Sequence, residues 1–465
     1  MKILDLIADR LPEKYALHER YLNAQLVRVL KTIGFDVAYT EARGPYLFDA
    51  AGNRYLDLLS GWGVFALGRN HPKVMSVLRD VLSADLPHLV QMDVTVLAGV
   101  LAERLLARMP GGLERMFFCN SGTEATEAAI KFARYATGRA KLVHVEHGFH
   151  GLSLGALSLN GDESFREGFG PLLPDAVQIP FDDLPALERA LAGRDVAAFF
   201  VEPIIGHGVR IPSDGYLRGV AELCRKYGTL FVADEIQTGI GRTGKFLAVE
   251  HWGVEPDMVL LAKALSGGFV PVGAVACRKH VFDAVFDRMD RSAVHGSTFA
   301  KNNLAMAAAL ATLAVLDEEK LVENAALVGA QLLDDLRPLI SKHECLTDVR
   351  GKGLMIALEF SRPKSLSLRA AWSLLESANE GLFSQMITVP LFARHRILSQ
   401  VAANKLNVVK FLPPLVIDQD DRRWIATACE NVIADAHKPG AVWELGKQLA
   451  GAALRMKTGR GSSAR

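Results

Sequence analysis

A lysine set in an apolar run is the first feature of this sequence that could do chemistry. Lys263 interrupts DMVLLAKAL and is followed by Gly267 and Gly268. Burying an ammonium is costly unless it is paired or has lost its proton. Desolvation therefore predicts a lowered pKa, which suits an amine that forms a Schiff base. For this run alone, a surface lysine whose stem snorkels along the protein remains the alternative.

Two adjacent carboxylates follow another apolar strand. TLFVADEIQTG places Asp234 and Glu235 directly after that strand, with Gln237 close behind. A carboxylate there would be desolvated without a cationic partner. A structural salt bridge is one solution. The other is a protonated pyridine nitrogen, which would keep the ring an electron sink and leave Gln237 within reach of a ring oxygen.

A third segment joins a strand to a helix through small polar residues. MFFC runs into Ser121, Gly122 and Thr123 and then into an Ala- and Glu-rich helix. Free N–H groups at a helix start form an anion site, and a glycine lets a phosphate approach the backbone. The alternative is an ordinary N-cap on Thr123, supported by Thr126 or Glu127.

Two further segments have weaker signals. HGSTFAKNN, residues 295–303, offers hydroxyl groups before an Ala-rich helix and is either a second phosphate contact or a capped helix start. Gly239 to Gly244 spells G-x-G-x-x-G, but it begins several residues after the strand and leads into a poor helix start. We interpret this stretch as a loop and not as a nicotinamide site.

The elements that position these residues alternate between short apolar runs and helical patterns. That rhythm predicts an α/β fold with a mostly parallel sheet flanked by helices, whose ligands bind at the carboxyl ends of the strands. An arm over residues 1–65 contains a hairpin turning at Ala51-Gly52-Asn53. We expect a large domain over 66–318, a smaller α+β domain over 319–455, and a flexible tail over 456–465.

Composition excludes several classes of function. The 465 residues carry 53 Lys+Arg and 52 Asp+Glu, so no net charge favours nucleic acid or acidic membranes. Five scattered cysteines predict neither a disulfide framework nor a metal site. No signal peptide or bilayer-spanning stretch is predicted. We therefore expect a cytoplasmic protein without a metal and without stable membrane insertion.

Taken in order, the segments resemble the class III (ornithine and 4-aminobutyrate type) aminotransferases of the fold type I pyridoxal-phosphate superfamily. The resemblance runs from about Gly44 to Ile417. It is carried by F-V-A-D-E-I-Q-T-G, with Lys263 placed 29 residues after Asp234 in L-A-K-A-L-S-G-G, and by L-G-R-N-H-P, N-S-G-T-E-A, G-F-H-G, V-E-P-I, H-G-S-T-F and F-L-P-P-L. It implies a seven-stranded sheet, pyridoxal 5′-phosphate as cofactor, and a homodimer with shared active sites.

The resemblance also implies a role for each matching residue. Lys263 would be both the Schiff-base partner and the proton shuttle, Asp234 would pair with the pyridine nitrogen, and Gln237 would contact the phenolic oxygen. The other implied cofactor contacts are Ser121, Gly122 and Thr123 on the phosphate, Phe149 stacked on the ring with His150 beside it, Glu202 in the Asp234 network, and Thr298 from the neighbouring subunit.

The implied reaction is transamination with ping-pong kinetics between a small amino donor, such as glutamate, and a carbonyl acceptor. A decarboxylase, an aminomutase or a racemase would use the same Lys263 and Asp234. A pyridoxal-phosphate-binding module without catalysis is the alternative from a different class.

Three departures from the family pattern concern the substrate. Leu152 and Lys410 stand where relatives that bind amino-acid carboxylates have arginine, and Ile205-Gly206-His207 stands where the ornithine type has Gln-Gly-Glu. Lys410 could still bind a carboxylate as a point charge, and Trp62 is a second candidate substrate contact. We expect a substrate other than plain ornithine or 4-aminobutyrate. The candidates are a polyamine, a polyol- or sugar-like compound, and a lipid-linked (hopanoid-type) amine or aldehyde.

Overall fold

The protein is described here by a computed structural model that covers residues 1–90, 92–378, 381–403, 406–438 and 440. Apolar positions from Val442 to Met456 predict an amphipathic C-terminal helix. This stretch and the predicted tail over 456–465 lie outside the residues that the structure describes. No helix in the described part of the chain is both long enough and apolar enough to cross a membrane.

A small sheet near the N-terminus contains the predicted hairpin. Its first three strands are β1 (Tyr39–Arg43), β2 (Tyr46–Asp49) and β3 (Arg54–Asp57). Gly52 has a φ of +78° and its N–H donates to Asp49 O, so β2 and β3 pair antiparallel around the predicted turn. The hairpin prediction is confirmed.

The central sheet has seven strands in the order β4-β10-β9-β8-β7-β5-β6. They are β4 (Leu113–Cys119), β5 (Lys141–Val145), β6 (Ala176–Ile179), β7 (Val196–Val201), β8 (Leu230–Asp234), β9 (Met258–Leu261) and β10 (Gly273–Arg278). Strand β10 is antiparallel to both of its neighbours, and the remaining pairs are parallel. Every residue of β7, β8 and β9 is buried because helices cover both faces.

The third sheet follows residue 318 and has the order β11-β12-β15-β14. Its strands are β11 (Leu346–Lys352), β12 (Met355–Phe360), β14 (Gln400–Val401) and β15 (Val408–Phe411). The two-residue strand β13 (Ile397–Leu398) instead pairs in parallel with β3 of the N-terminal hairpin. The domain limits at 65, 318 and 455 stay predictions.

Eighteen α-helices connect and cover these sheets in the described residues. The first nine are α1 (Ile3–Arg10), α2 (Lys14–Tyr21), α3 (Ala24–Ile33), α4 (Ser60–Gly63), α5 (Pro72–Ser83), α6 (Val96–Leu106), α7 (Gly122–Thr137), α8 (Leu154–Leu157) and α9 (Glu163–Arg166). The others are α10 (Leu184–Leu191), α11 (Tyr216–Tyr227), α12 (Lys279–Val285), α13 (Asn303–Glu318), α14 (Leu321–Leu336), α15 (Leu339–Lys342), α16 (Leu366–Ala378), α17 (Gln385–His395) and α18 (Gln419–Ala436).

Helix α7 shows why the sequence folds as it does near the predicted site. Ser121 is its N-cap and accepts a hydrogen bond from Glu124 N, and the helix ends at Gly138 with a φ of +67°. These are the usual start and stop signals of a helix. As a result, the free N–H groups of the first turn lie at the carboxyl end of β4.

The G-x-G-x-x-G stretch forms turns, as the loop interpretation predicted. Arg242 in this loop is fully buried, and its Nη1 donates to the carbonyl oxygens of Leu354 and Pro413. Gly353, with a φ of +54°, lies so close that a Cβ would come within 2.3 Å of the carbonyl carbon of Thr243. The loop therefore fastens the central sheet to the third sheet and does not cradle a dinucleotide.

Candidate active site

A cavity of about 480 Å³ lies at the carboxyl edge of the central sheet. The loops that follow β4, β5, β7, β8 and β9 all contribute to it, as expected for a parallel sheet. Nine predicted site residues line the cavity: Ser121, Gly122, Thr123, Phe149, His150, Glu202, Asp234, Gln237 and Lys263. Trp62, Thr298 and Lys410 are not part of its lining.

Asp234 and His150 form a buried pair at the base of the cavity. His150 Nδ1 lies 2.7 Å from Asp234 Oδ2, and Asp234 Oδ1 accepts a hydrogen bond of 3.0 Å from Ile236 N. Burial works to lower the pKa of His150, but the hydrogen bond and the negative charge of Asp234 outweigh it and raise that pKa. The other ring nitrogen, His150 Nε2, is buried and has no hydrogen-bond partner among the described residues.

Glu202 fixes the backbone around this pair. It accepts hydrogen bonds from Phe149 N at 3.0 Å and from Gly206 N at 2.9 Å. Burial, reinforced by the negative charge of Asp234, raises the pKa of Glu202 to about 7. The carboxylate thus holds the loop after β5 against the turn after β7.

Lys263 is the amine of the cavity. The residue has a φ of +42°, an unusual backbone conformation for a non-glycine residue, and it is only partly exposed. Burial lowers the pKa of Lys263, although Asp234 and Glu202 act to raise it. Within the described part of the chain, its Nζ forms no hydrogen bond or salt bridge.

The start of α7 forms the opposite end of the cavity. Thr123 Oγ1 lies 2.6 Å from Ser153 Oγ and accepts a hydrogen bond of 3.1 Å from Ser153 N, so this hydroxyl already has protein partners. A Cβ on Gly122 would lie 2.9 Å from Ile236 Cδ1, so the backbone there has no room for a side chain. The helix N-terminus is left open towards the cavity.

The 295–303 segment is tied to the same helix start. Asn120 Nδ2 donates to Ser297 Oγ at 2.6 Å, and Ser297 Oγ donates to Glu124 Oε1 at 3.0 Å. The next residue, Thr298, is exposed on the surface of this chain. Its expected contact with the site of a neighbouring subunit stays a prediction.

Gln237 joins the two candidate substrate contacts. Gln237 Nε2 donates to the carbonyl oxygen of Trp62 at 3.3 Å, while Gln237 Oε1 accepts from Lys410 Nζ at 3.2 Å. The indole of Trp62 is mostly exposed, whereas Lys410 is buried. Their roles in binding substrate stay predictions.

His207 was noted in the sequence as a departure and was not predicted as a site residue, yet it lines the cavity. Its ring lies 5.4 Å from that of Phe149 and stacks 5.8 Å from that of Phe165. Burial, assisted by the positive charge of Lys410, lowers the pKa of His207 to about 4, so the ring is neutral near pH 7. Asn120 and Gly206 also line the cavity without having been predicted as site residues, because asparagine and glycine in loops carry little signal of their own.

The residues of the cavity fit pyridoxal 5′-phosphate, the cofactor implied by the resemblance. A phosphate matches the open N–H groups of α7, a protonated ring nitrogen matches the buried carboxylate Asp234, and an aldehyde matches the unpaired amine of Lys263. Phe149 supplies an aromatic surface beside them.

Comparisons with known proteins agree with this chemistry. Residues 31–433 match the family model of aminotransferase class-III. The chain is 35% identical over 451 residues to aminotransferase PigE of Serratia sp. (strain ATCC 39006), a match that covers 89% of this chain and 53% of that protein. The chain therefore spans about half the length of this curated relative.

Two solved structures have the same fold. The ornithine aminotransferase of Toxoplasma gondii ME49 is 32% identical with a TM-score of 0.78, and the match covers 91% of this chain and 95% of that one. An amine transaminase from an uncultivated Pseudomonas species, solved with pyridoxal phosphate bound, is 29% identical with a TM-score of 0.73, covering 86% and 95%. The predicted fold, with its seven-stranded sheet, is confirmed.

Proposed function

This chain belongs to the class-III aminotransferases, which depend on pyridoxal phosphate, and we propose that it moves an amino group between a small amino donor and an aldehyde or ketone. The proposal rests on the environment of Lys263. Lys263 is an amine with a lowered pKa, without a partner among the described residues, in a cavity that also contains a buried carboxylate and an open helix N-terminus.

The roles of the residues follow from the charges around them. When bound, pyridoxal phosphate supplies an aldehyde that takes up the amino group and a ring that accepts electrons. Lys263 would hold the cofactor until an incoming amine displaces it, and burial, which lowers the pKa of Lys263, would suit the freed Nζ to accept a proton from the amine-bearing carbon of the substrate. Asp234 keeps the ring nitrogen protonated, and His150 keeps the carboxylate of Asp234 in place through their 2.7 Å hydrogen bond.

The remaining residues orient the cofactor. The N–H groups beginning at Ser121, Gly122 and Thr123 hold its phosphate, because a helix N-terminus favours an anion. Phe149 would cover the ring, and Gln237 would donate to its phenolic oxygen. Two half-reactions use this one site in turn, so the first product leaves before the second substrate enters, which gives ping-pong kinetics.

The substrate is proposed to be an amine whose distant end carries no carboxylate. No arginine lines the cavity among the described residues, and Leu152 follows the lining residue Gly151 where carboxylate-binding relatives have a guanidinium. His207 and Phe149 give the cavity a neutral aromatic wall, and the ring of Phe165 packs against both. A polyol- or sugar-like amine, a lipid-linked (hopanoid-type) amine and the uncharged end of a polyamine suit this wall better than ornithine or 4-aminobutyrate. One of the solved neighbours is an amine transaminase.

A homodimer with shared sites is part of the proposal. Asn303 Nδ2 donates to the carbonyl oxygen of Pro87, and Thr95 Oγ1 donates to that of Lys301, so the described residues of the 82–96 segment lie beside the 289–303 segment. Both segments expose large apolar side chains: Leu82, Leu86, Val90, Met92, Val94, Val96, Met289, Val294 and Phe299. An apolar patch of this kind on a globular protein favours a partner surface.

The test of the reaction is an absorbance spectrum of the purified holoenzyme, followed by addition of L-glutamate and of primary amines. We expect a band at about 410–430 nm that moves to about 330 nm when an amine donates its amino group. Lys263→Ala should abolish turnover, because it removes the amine that holds the cofactor and moves the proton. Absence of a cofactor band in wild-type protein saturated with pyridoxal phosphate would contradict the proposal, and release of carbon dioxide would indicate a decarboxylase.

A further inference from the structure

Lys410 lies behind the wall of the cavity and not in it. The residue is in β15 and is 3% exposed. Its Nζ donates to the carbonyl oxygen of Gly206 at 2.9 Å and to Gln237 Oε1 at 3.2 Å. The side chain thus reaches from the third sheet to two loops that follow strands of the central sheet.

The amide of Gln237 is held from two sides. Lys410 donates to its oxygen, and its nitrogen donates to the carbonyl oxygen of Trp62 in the N-terminal arm. The ammonium of Lys410 cannot accept a hydrogen bond, and a carbonyl oxygen cannot donate one, so these partners fix which end of the amide is which. The second N–H of Gln237 has no acceptor among the described residues, and the residue lines the cavity.

Gly206 belongs to the same arrangement. A Cβ at this position would lie 2.6 Å from Gln237 Oε1 and 2.9 Å from Glu202 Oε2. The turn after β7 is therefore packed directly against the amide, and Lys410 binds both the turn and the amide. Moving one of these groups moves the others.

The surroundings of Lys410 explain why it does not reach into the cavity. Its ammonium has no carboxylate hydrogen-bond partner among the described residues, and burial lowers the pKa of Lys410 to about 8 although Glu202 acts to raise it. Lys410 is not part of the cavity lining, and moving its Nζ into the cavity would break both hydrogen bonds. Leaving two buried oxygens without a donor is costly.

We infer that Lys410 is a positioning residue, which acts by orienting the amide of Gln237 and the turn at Gly206 towards the cofactor, and that it does not bind a substrate carboxylate. The inference rests on the proposed function. The two roles make different predictions, because a positioning residue affects the cofactor whatever the substrate is. A carboxylate contact affects only substrates that carry a carboxylate.

The experiment compares holoenzymes of the wild type, Lys410→Met and Lys410→Arg. Loss of a hydrogen bond from a charged group predicts an affinity for pyridoxal phosphate that is about 10- to 100-fold weaker in Lys410→Met. The absorbance band of the bound cofactor should also titrate at a different pH, because the phenolic oxygen of the cofactor loses an oriented hydrogen-bond donor. Lys410→Arg, which keeps the positive charge and the N–H donors, should recover at least half of the lost affinity on a logarithmic scale.

A matched control is Lys352→Met, the same substitution at the end of β11, where the ammonium lies over the Trp252 ring and away from the cavity. It should leave the cofactor affinity at the wild-type value. A double-mutant cycle with Gln237→Leu adds a second test, because a residue that acts partly through Gln237 has a smaller effect once Gln237 is gone. Circular dichroism and thermal unfolding of each variant separate these effects from misfolding.

The inference is wrong if Lys410→Met binds and titrates the cofactor as the wild type does, or if the effects of Lys410→Met and Gln237→Leu are additive. It is also wrong if Lys410→Met changes KM only for carboxylate-bearing donors, such as L-glutamate, and not for carboxylate-free amines. A different result would contradict the proposed function, namely a wild-type protein that shows no cofactor band or transfers no amino group. Should Lys410→Met fail to fold, Lys410→Gln, which removes the charge but keeps a polar side chain, takes its place in each comparison.

Discussion

Among single residues, Leu152 offers the clearest way to change what the cavity accepts. Its side chain is 59% exposed and follows Gly151, which lines the cavity. Leu152→Arg places a guanidinium there, and a guanidinium binds a carboxylate with two parallel hydrogen bonds. We expect the ratio of kcat/KM for 4-aminobutyrate to kcat/KM for n-butylamine to rise about 10- to 100-fold. Initial rates with each amine and one common acceptor measure that ratio.

Leu154→Arg is the control for this change. Leu154 begins α8 two residues further on and is 58% exposed, so it receives the same charge on a similarly exposed surface. The ratio should not change in this variant. An equal change for both amines in Leu152→Arg, or an equal ratio in the two variants, would show that position 152 does not select the substrate charge.

Among the elements, the turn after β7 is tightly packed at the site. Gly206→Ala would push a methyl group against Gln237 Oε1 and Glu202 Oε2. Overpacking a tight site typically costs about 1–3 kcal/mol. We expect an affinity for pyridoxal phosphate that is about 10-fold weaker, because both displaced side chains line the cavity. Titration of the apoenzyme with the cofactor measures the change.

The control for the turn is Gly215→Ala. Gly215 precedes α11, has a φ of −86°, and its added Cβ would meet no atom within 4 Å. This variant should bind the cofactor like the wild type. An unchanged affinity in Gly206→Ala would mean that the turn relaxes without moving Gln237 or Glu202, and the close packing would then have no functional importance.

The elements also show where sequence reasoning succeeds. The strand and helix around Ser121, and the strand that ends at Asp234, follow from local periodicity and capping, so their residues could be placed at one edge of the sheet. The bonds from Lys410 to Gly206 and Gln237 could not be predicted, because they depend on how the third sheet packs on the central one. Strand β13 has two residues and no periodicity, so its pairing was equally hidden.

At the scale of the whole molecule, the exposed apolar segments predict a dimer that can be disrupted. Phe299→Asp places a charge in the 289–303 segment, next to Thr298. Burying an unpaired carboxylate at an interface is costly. We expect sedimentation velocity to show a dimer for the wild type and a mainly monomeric variant. We also expect the variant to bind the cofactor more weakly, since Thr298 would no longer reach the neighbouring site.

Leu327→Asp provides the comparison, because Leu327 is an exposed apolar residue of α14, outside both segments. It should sediment as a dimer and keep its cofactor. If Phe299→Asp also remained a dimer, the 289–303 segment would lie outside the interface, and the expected role of Thr298 would lose its support.

The pairing of β3 with β13 has a consequence for how the chain is made. Leu56 N donates to Arg396 O and Leu58 N donates to Leu398 O, so a strand near the start of the chain is completed by one that leaves the ribosome much later. During that interval β3 has an unpaired edge, and such an edge is a template for another chain. Neighbouring nascent chains on one polysome present the same edge, so slower elongation before residue 397 lengthens the time during which they can pair with each other.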